Sequence, residues 1–363
     1  MRVVTFGEVM IRLAPPEQLR LRQVIPGSLE ATFGGGEVNV AVSIAYQGGQ
    51  SAFLTVLPDN PLTDAFLQEI RKFGVDADLV QRSKRGRFGT YYVETGANQR
   101  AGTVTYDRDH SSISLAGLED FDWETIFQDA DWFHITGITP ALTARSAECA
   151  IASVEQARKR GLTVSCDLNF RKKLWNWKQG TKPVELARQT MRHLIPFVDL
   201  VIANEEDADL ALGIKAPESN VEAGELHLDG YEQVAKQIVK EFLNVSKVAI
   251  TLRESRSAND NQWGALLYDA KTQKMHVAPT DAAGKYRPYE IRNIVDRVGA
   301  GDSFGGGLIY ALRTPELSEP GTALRYAVAA SCLKHSIKGD FNYATREEII
   351  SLMEGSGSGR VQR

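Results

Sequence analysis

The sequence predicts an α/β fold with a mainly parallel sheet that is covered by helices on both faces. Short apolar runs recur along the chain at residues 3–6, 52–57, 132–136, 162–166, 200–203 and 248–252. Stretches with helical character lie between most of them, at residues 39–47, 61–73, 141–160, 184–194 and 231–242. Strands that alternate with helices are typical of βαβ units and a parallel sheet. Because the runs carry apolar residues on both faces, we expect both sides of that sheet to be buried.

Two segments break this alternation and predict a small second sheet. Residues from about 11 to 33 lack helical periodicity, and residues from about 87 to 108 contain two alternating strands joined by a Gly-Ala-Asn turn. Such a sheet is well placed to act as a lid that excludes water from a reactive group. We therefore predict one domain over residues 1–352 that carries the lid segments 11–33 and 87–108. The Gly-Ser-rich tail, residues 353–363, is predicted to be disordered.

Composition and charge exclude several classes of protein. The 363 residues are 43% hydrophobic and 24% charged, and the net charge of −4 argues against nucleic acid as the main partner. No stretch approaches the ~20 apolar residues of a membrane span, and the N-terminus turns polar too early for a signal peptide. Three widely spaced cysteines show neither metal-ligand spacing nor a disulfide framework. We expect a cytoplasmic protein that binds neither nucleic acid nor a membrane.

A glycine turn followed by an acid predicts a reactive site near the C-terminal end, where residues 296–307 read DRVGAGDSFGGG. Amides at Gly299, Ala300 and Gly301 and at the start of the following helix can hold an oxyanion. A carboxylate beside a phosphate is repulsive, so Asp302 suits a base that deprotonates the hydroxyl attacking that phosphate. The alternative is that Asp302 is an ordinary N-cap and the glycines serve packing.

A second glycine stretch, FGGGEVNVA at residues 33–41, precedes a predicted helix. Its three glycines let a ligand lie against bare backbone, and the Asn39 amide can hydrogen-bond a polyol. The alternative is a simple loop with a polar residue in the first helical turn. The chain contains no G-x-x-x-x-G-K-[ST] pattern, which argues against a P-loop nucleotide site.

Together the two glycine stretches resemble the paired signatures of the ribokinase-like (PfkB) sugar kinases. The resemblance covers nearly the whole chain in order, and includes Gly-Glu at 7–8, ANEED at 203–207 and KHSIKGDFN at 334–342. It implies a three-layer α/β/α ribokinase-like fold with a small β-sheet lid. It also implies that Asp302 is the catalytic base and that the amides at Gly299, Ala300 and Gly301 form the anion hole.

Within this family the chain is most similar to 2-keto-3-deoxygluconate kinases, in GEVMIRLAPP at 7–16, TYDR at 105–108 and DLNFR at 167–171. That substrate is a sugar acid, and two guanidinium groups, on Arg108 and Arg171, can hold its carboxylate. Tyr91 and Tyr106 can close over the sugar. The resemblance also places Gly35 and Asn39 at the substrate. Alternatively, Arg108 forms a surface ion pair with a neighbouring aspartate, Arg171 belongs to a solvated basic run, and the tyrosines only pack across strands.

The nucleotide side departs from the family pattern. By resemblance, nucleotide contacts fall on Asn204, Thr251, Arg253 and Asn342, together with Gly299 and Gly301. The family's Asn-x-x-Glu element ends here in Asp207, which is expected to act on the metal indirectly. A longer polar loop, residues 253–263, with Arg253 in place of glycine, makes the path around the nucleotide unusual. ATP and Mg²⁺ are the implied cofactors, with a monovalent cation as an additional candidate.

The predicted activity is ATP-dependent phosphorylation of the 6-hydroxyl of 2-keto-3-deoxygluconate. The competing hypotheses are a kinase of a neutral sugar such as fructose or ribose, a nucleoside kinase, and a non-catalytic sugar sensor with the same fold. The intact Gly-Ala-Gly-Asp turn argues against a sensor, and the paired arginines argue against a nucleoside kinase. Because lid sheets in this family often pair between subunits, the resemblance also implies a homodimer formed through the lid.

Overall fold

The computed structural model describes residues 1–204, 206–215 and 228–355. The strands are β1 (Arg2–Phe6), β2 (Met10–Ala14), β3 (Glu30–Gly34), β4 (Ser51–Pro58), β5 (Val80–Ser83), β6 (Gly89–Glu94), β7 (Thr103–Asp107), β8 (Ala130–Thr136), β9 (Thr163–Asp167), β10 (Leu200–Ala203), β11 (Lys247–Ser255), β12 (Asn261–Asp269), β13 (Lys274–Ala278) and β14 (Tyr289–Ile291). The α-helices are α1 (Leu21–Val24), α2 (Gly36–Tyr46), α3 (Pro61–Lys72), α4 (Ser112–Leu115), α5 (Trp123–Phe127), α6 (Thr139–Leu142), α7 (Ala144–Lys159), α8 (Pro183–Leu194), α9 (Leu228–Glu241), α10 (Ala300–Arg313), α11 (Pro320–Lys334) and α12 (Arg346–Met353).

Ten of these strands form the main sheet, in the order β13-β12-β11-β10-β9-β8-β1-β4-β5, with β14 paired to β12. Neighbouring strands from β5 across to β11 are parallel, whereas β12 runs antiparallel to β11, β13 and β14. This arrangement confirms the predicted α/β fold with a mainly parallel sheet. The antiparallel edge was not predicted, because its strands alternate polar and apolar residues only weakly.

Helices cover both faces of the main sheet, which gives three layers. Helices α4 to α9 pack against one face, and α2, α3, α10, α11 and α12 pack against the other. Strand β4 carries apolar side chains on both of its faces, and all of its residues are buried. Leu54 and Val56 pack into the core on the side of helices α4 to α9, whereas Phe53 and Leu57 pack into the core on the side of α2 and α3. A strand buried on both faces has no position for an exposed polar side chain.

The small sheet has four strands in the order β3-β2-β6-β7. Strands β6 and β7 lie within the predicted lid segment 87–108, whereas β2 and β3 each extend one residue beyond the predicted segment 11–33. Tyr91 on β6 lies opposite Tyr106 on β7, and Arg12 on β2 lies opposite Tyr91. Along β6 the side chains alternate, so that Tyr91 is buried and Tyr92 is half-buried on the other face. Met10, Tyr91 and Val93 pack toward the main domain near Val298.

Two predicted boundaries were wrong for local reasons. The helix expected over residues 141–160 breaks at Thr143, whose extended backbone and hydroxyl cap the start of α7 by accepting from the Ser146 amide. The loop expected over residues 253–263 is shorter, because Arg253 and Ser255 still belong to β11 and pair with Trp263 and Asn261. Polar side chains at an exposed hairpin end resemble a loop in sequence.

The C-terminal helix α12 reaches Met353, so the predicted tail begins inside a helix. Residues 356–363 of that tail, Glu205, and residues 216–227 lie outside the described part of the chain. The single domain over residues 1–352 stays a prediction. None of the helices among the described residues is both long and apolar enough to cross a bilayer.

Candidate active site

A pocket of about 510 Å³ lies between the lid and the carboxyl ends of β8 to β11. Ligands of open α/β sheets bind at this edge, because the strands end there and the loops that follow them converge. All but one of the predicted site residues line this pocket, namely Gly35, Asn39, Tyr91, Tyr106, Arg108, Arg171, Asn204, Asp207, Thr251, Arg253, Gly299, Ala300, Gly301 and Asp302.

Asp302 lies in the first turn of α10, three residues after the residue that caps the helix. That cap is Gly299, which adopts a left-handed conformation with φ of 83°. The Asp302 carboxylate instead accepts a hydrogen bond of 2.6 Å from the Asn39 side-chain amide of α2. The interpretation of Asp302 as an N-cap is therefore wrong. Burial raises the pKa of Asp302 to about 6, although the bond from Asn39 opposes the rise.

The glycines of the turn differ in what each one makes possible. A side chain at Gly299 would overlap the backbone carbonyl of Asp340, and the positive φ disfavours any other residue. A side chain at Gly301 would meet no atom within 4 Å among the described residues, so this position opens into the pocket. The first amides of a helix lack intrahelical partners and carry the positive end of its dipole. The start of α10 therefore offers a site for an oxyanion beside Asp302.

Two further carboxylates, Asp167 and Asp207, line the same pocket. Asp207 accepts hydrogen bonds of 3.1 Å from the amides of Phe170 and Asn204, which fix its orientation. Burial, and then the charges of Asp207 and Asp302, hold the pKa of Asp167 well above its usual range. A divalent cation between these carboxylates would relieve that repulsion.

The donor set fits Mg²⁺ better than a metal that needs a complete protein cage. No cluster of three or more His, Cys, Asp or Glu side chains suited to a metal occurs within residues 1–204, 206–215 and 228–355. Mg²⁺ usually takes one or two carboxylates and completes its shell with water and substrate phosphates. Asp167 and Asp207 are the residues that could hold it here.

Arg108 is buried in the pocket wall and is paired with a residue that the sequence analysis left without a role. Its side chain is 7% exposed and forms an ion pair with Glu8. The interpretation of Arg108 as a surface ion pair with a neighbouring aspartate is wrong, because Arg108 is buried against Glu8 and Asp107 binds Arg87. The Arg108 guanidinium also lies 5.3 Å from the centre of the Tyr106 ring. Its Nε is buried and has no hydrogen-bond partner among the described residues.

Arg171 stands at the exposed rim of the same pocket. Its positive charge lowers the pKa of Asp167, Asp207 and Asp302, against the larger effect of burial on each of them. The guanidinium at the rim is therefore close enough to influence three carboxylates of the site. Arg171 is thus more than a member of a solvated basic run.

Tyr91 and Tyr106 do pack across the lid strands, with ring centres 6.1 Å apart. Tyr91 also donates a hydrogen bond of 2.6 Å to the Asp340 carboxylate, which lines the pocket. Both rings face the pocket, so cross-strand packing and ligand contact are compatible here.

On the nucleotide side the predicted residues divide. Asn204, Thr251 and Arg253 line the pocket, but Asn342 does not. Asn342 is 1% exposed, its amide nitrogen donates to the Ala330 carbonyl at 3.4 Å, and its side-chain oxygen accepts from the Ala344 amide at 2.9 Å. Its hydrogen bonds stabilise the chain that follows α11, and its predicted nucleotide contact has no support from this geometry.

Four polar residues of this region had no predicted role, namely Glu8, Glu37, Asp167 and Asp340. All four lie inside the quoted family motifs, but a motif does not say which side chain contacts which. Glu37 is fully buried beside the glycines of α2 and accepts hydrogen bonds from Thr136 and Thr139. The signal available in the sequence was an acidic residue, Glu37, in the first turn of an otherwise apolar predicted helix.

Comparison with known proteins agrees with this site. The family model described as pfkB family carbohydrate kinase matches residues 1–342. A 2-dehydro-3-deoxygalactonokinase of Haloferax volcanii is 33% identical over 358 residues, which cover 98% of each chain. A 2-dehydro-3-deoxygluconokinase of Bacillus subtilis is 27% identical over 351 residues, which cover 96% of this chain and 94% of the relative.

A solved structure gives the same result. The crystal structure of 2-dehydro-3-deoxygluconokinase from Thermotoga maritima superposes with a TM-score of 0.86 at 43% identity and covers 98% of each chain. The family match spans most of the sequence, and the fold, the glycine turn and the acid after it occur together in one pocket. The chain belongs to the pfkB family of carbohydrate kinases.

Proposed function

We propose that this chain is an ATP-dependent sugar-acid kinase that phosphorylates the 6-hydroxyl of 2-keto-3-deoxygluconate. The observation that carries the proposal is the arrangement around Asp302. A carboxylate with a pKa of about 6 lies beside the amide end of α10, in a pocket that also contains Arg108 and Arg171. The relatives named for this substrate class cover nearly the full length of the chain.

In the proposed mechanism Asp302 takes the proton of the 6-hydroxyl while the oxygen of that hydroxyl bonds to the γ-phosphorus of ATP. The bond between this phosphorus and the β–γ bridging oxygen breaks, and ADP leaves. The Asn39 amide holds the Asp302 carboxylate in place, and the amides of Gly299 to Gly301 carry the charge on the transferring group. Mg²⁺, when bound through Asp167 and Asp207, neutralises phosphate charge.

The acid end of the substrate is assigned to the two arginines. Arg108 lines the pocket, and Glu8 balances part of its charge. Arg171 is exposed at the rim and meets an incoming anion first. Tyr91 and Tyr106 close the apolar side, and Gly35 leaves room for the sugar backbone. A neutral sugar would offer neither guanidinium group an anionic ligand.

A second candidate substrate is the galactonate epimer, 2-keto-3-deoxygalactonate. The Haloferax volcanii relative that is 33% identical over 98% of the chain carries that name. The epimers differ at one carbon, and the acid-binding residues serve both equally. A fructose or ribose kinase and a non-catalytic sensor remain as less favoured alternatives.

Further parts of the proposal concern the setting of the enzyme. We assign it ATP and Mg²⁺ as cofactors, a cytoplasmic location where ATP is available, and no nucleic acid or membrane partner. A homodimer formed through the lid sheet, and a monovalent cation that supports activity, are parts of the same proposal. Sedimentation tests the homodimer. Activity measured in sodium, potassium or tetramethylammonium chloride tests the role of the monovalent cation.

The test is ATP consumption by the purified protein with Mg²⁺ and a panel of acceptors, namely both keto-deoxy acids, fructose, ribose and adenosine. We expect a preference of ~100-fold in kcat/KM for a keto-deoxy acid, which is about 2.7 kcal/mol in the transition state. Asp302→Asn should reduce kcat by several orders of magnitude with substrate binding largely retained, whereas the exposed control Asp109→Asn should not. Preference for a neutral sugar would contradict the roles of Arg108 and Arg171, and normal turnover by Asp302→Asn would contradict the mechanism.

A further inference from the structure

A buried arginine of the lid binds two carboxylates that lie behind the anion-binding turn. Arg12 occupies the middle of β2 and is 2% exposed. Its Nη2 donates to Asp296 at 2.6 Å, and its Nη1 donates to Asp340 at 2.8 Å. The two acids are 284 and 328 residues away in sequence. Arg12 does not line the pocket, so any effect on a bound ligand passes through these acids.

Asp296 fixes the backbone that leads into the turn. Its Oδ1 accepts from the Val298 amide at 3.1 Å, directly before Gly299. Its Oδ2 accepts from the Gly339 amide at 3.0 Å as well as from Arg12. A carboxylate held on three sides has one orientation, and that orientation sets where the backbone at residue 298 lies.

Asp340 approaches the same turn from the other side. Its carbonyl oxygen occupies the space that a side chain at Gly299 would need. Its carboxylate accepts from Arg12, from the Tyr91 hydroxyl at 2.6 Å and from the Asn39 amide at 3.5 Å. Asn39 in turn holds Asp302. Arg12 is therefore in contact with both supports of the turn.

We propose that Arg12 is a positioning residue that aligns the anion-binding turn at 298–301 with the lid, through Asp296 and Asp340. The inference rests on the proposed function, because it assigns the turn to the γ-phosphate of the nucleotide. Lys334 is the other buried cation of this cluster, and its Nζ donates to the Ile337 carbonyl at 2.9 Å rather than to either carboxylate. The direct cationic contacts of Asp296 and Asp340 among the described residues thus come from Arg12.

Burying an arginine with two carboxylates costs desolvation free energy, so stability alone does not account for this arrangement. A paired buried arginine and carboxylate often stabilise a fold no more than apolar residues of similar size would. The planar fork of arginine can nevertheless hold two acids at fixed angles, which lysine cannot do with a single ammonium group. Arg12→Lys keeps the charge and loses the second contact, so it separates alignment from neutralisation.

The experiment compares wild type with Arg12→Lys and with Arg87→Lys, a matched control. Arg87 also pairs with an aspartate near the lid strands, but it does so on the exposed surface. The first measurement is the ratio of the ADP to the ATP dissociation constant by calorimetry, without acceptor. The second is kcat and KM for the best acceptor.

We expect Arg12→Lys to lower the preference for ATP over ADP at least fivefold and to lower kcat ~10- to 100-fold, with KM for the acceptor changed less than threefold. Arg87→Lys should change none of these. A purely structural arginine would lower thermal stability and leave the nucleotide ratio and kcat of the folded fraction unchanged, and that result would overturn the proposal. Asp296→Asn, which retains hydrogen-bonding capacity, should reproduce the loss of ATP preference and covers the case in which Arg12→Lys does not fold.

Failure of the proposed function has a different signature. If wild type phosphorylates none of the acceptors, the sugar-acid assignment is wrong, but the nucleotide ratio still decides the role of Arg12. An unchanged ratio in both Arg12→Lys and Asp296→Asn overturns the role of Arg12 whichever acceptor is used.

Discussion

Glu37 provides a prediction whose magnitude follows from the structure. Its side chain is fully buried at the start of α2, and its Oε1 accepts from the Thr136 hydroxyl at 2.8 Å and the Thr139 hydroxyl at 3.0 Å. Its Oε2 has no hydrogen-bond partner among the described residues. Burial raises the pKa of Glu37 from 4.5 to about 7, and the hydrogen bonds only partly oppose that rise.

The sign of the pH effect follows from this rise. The folded state binds the Glu37 proton more tightly than the unfolded state does, so the stabilisation is complete below pH 4.5 and disappears as the pH rises through about 7. At about 1.4 kcal/mol per pKa unit, the full effect is about 3 kcal/mol. Between pH 5 and pH 8 the wild type loses about 2.5 kcal/mol of unfolding free energy through this group.

Glu37→Gln removes the titration and keeps an oxygen for the two threonine hydroxyls. Unfolding entropy of about 2.1 cal/mol/K per residue converts 2.5 kcal/mol into a Tm difference of about 3 °C for this chain length. We therefore expect the difference in Tm, variant minus wild type, to be about 3 °C higher at pH 8 than at pH 5. Any constant cost of the new amide hydrogens cancels in that comparison.

The assay is differential scanning calorimetry of wild type, Glu37→Gln and the control Glu148→Gln at both pH values. Glu148 lies on the exposed side of α7, so its replacement should shift Tm equally at pH 5 and pH 8. If Glu37→Gln also shifts Tm equally at the two pH values, Glu37 does not carry a raised pKa in the folded protein and the reasoning is refuted.

Three further predictions concern the site. Gly301→Ala should raise Tm slightly, since alanine favours a helix by about 1 kcal/mol relative to glycine. It should also lower kcat/KM at least tenfold, because the new methyl group would lie where phosphate is proposed to bind. Unchanged kcat/KM would show that the pocket at Gly301 is not used. Because Asp302 must be ionised and has a pKa of about 6, kcat/KM should fall about tenfold per pH unit below 6 and level off above it, and a profile flat down to pH 5 would contradict its role as base. Arg171→Gln should raise KM for the keto-deoxy acid ~10- to 100-fold and alter the rate with a neutral sugar less than twofold. Lys172→Gln serves as the neighbouring control. Equal effects on the acid and on the neutral sugar would contradict a role of Arg171 in acid recognition.

Much of the fold and of the site could be predicted, because the signals are local. Apolar runs such as residues 52–57 have to be buried on both faces, so they identify central strands wherever they lie in the chain. The glycine turn and Asp302 are adjacent in sequence, and the start of a helix brings them together without help from distant residues. The alternating pattern around Tyr91 places its ring on the inner face of the lid in the same way.

What could not be predicted is the pairing of groups that are distant in sequence. Glu8 and Arg108 are 100 residues apart, and Asn39 and Asp302 are 263 residues apart. Each polar side chain has several plausible partners in a sequence, as Arg108 shows by binding Glu8 rather than the adjacent Asp107. Asn342 is the opposite case, because its motif matches the family but its amide is used inside the fold.

The sequence by itself determined the layered α/β architecture, the presence of a small second sheet, and an acid that follows a glycine turn at a helix start. These depend on side-chain periodicity and on the backbone freedom of glycine, which act over a few residues. The tertiary structure alone decided the protonation behaviour of Asp302 and Glu37, the partner of Arg108, and the link from Arg12 to the turn at Gly299. Those properties depend on desolvation and on charges brought within a few ångströms, and both arise only when distant segments pack together.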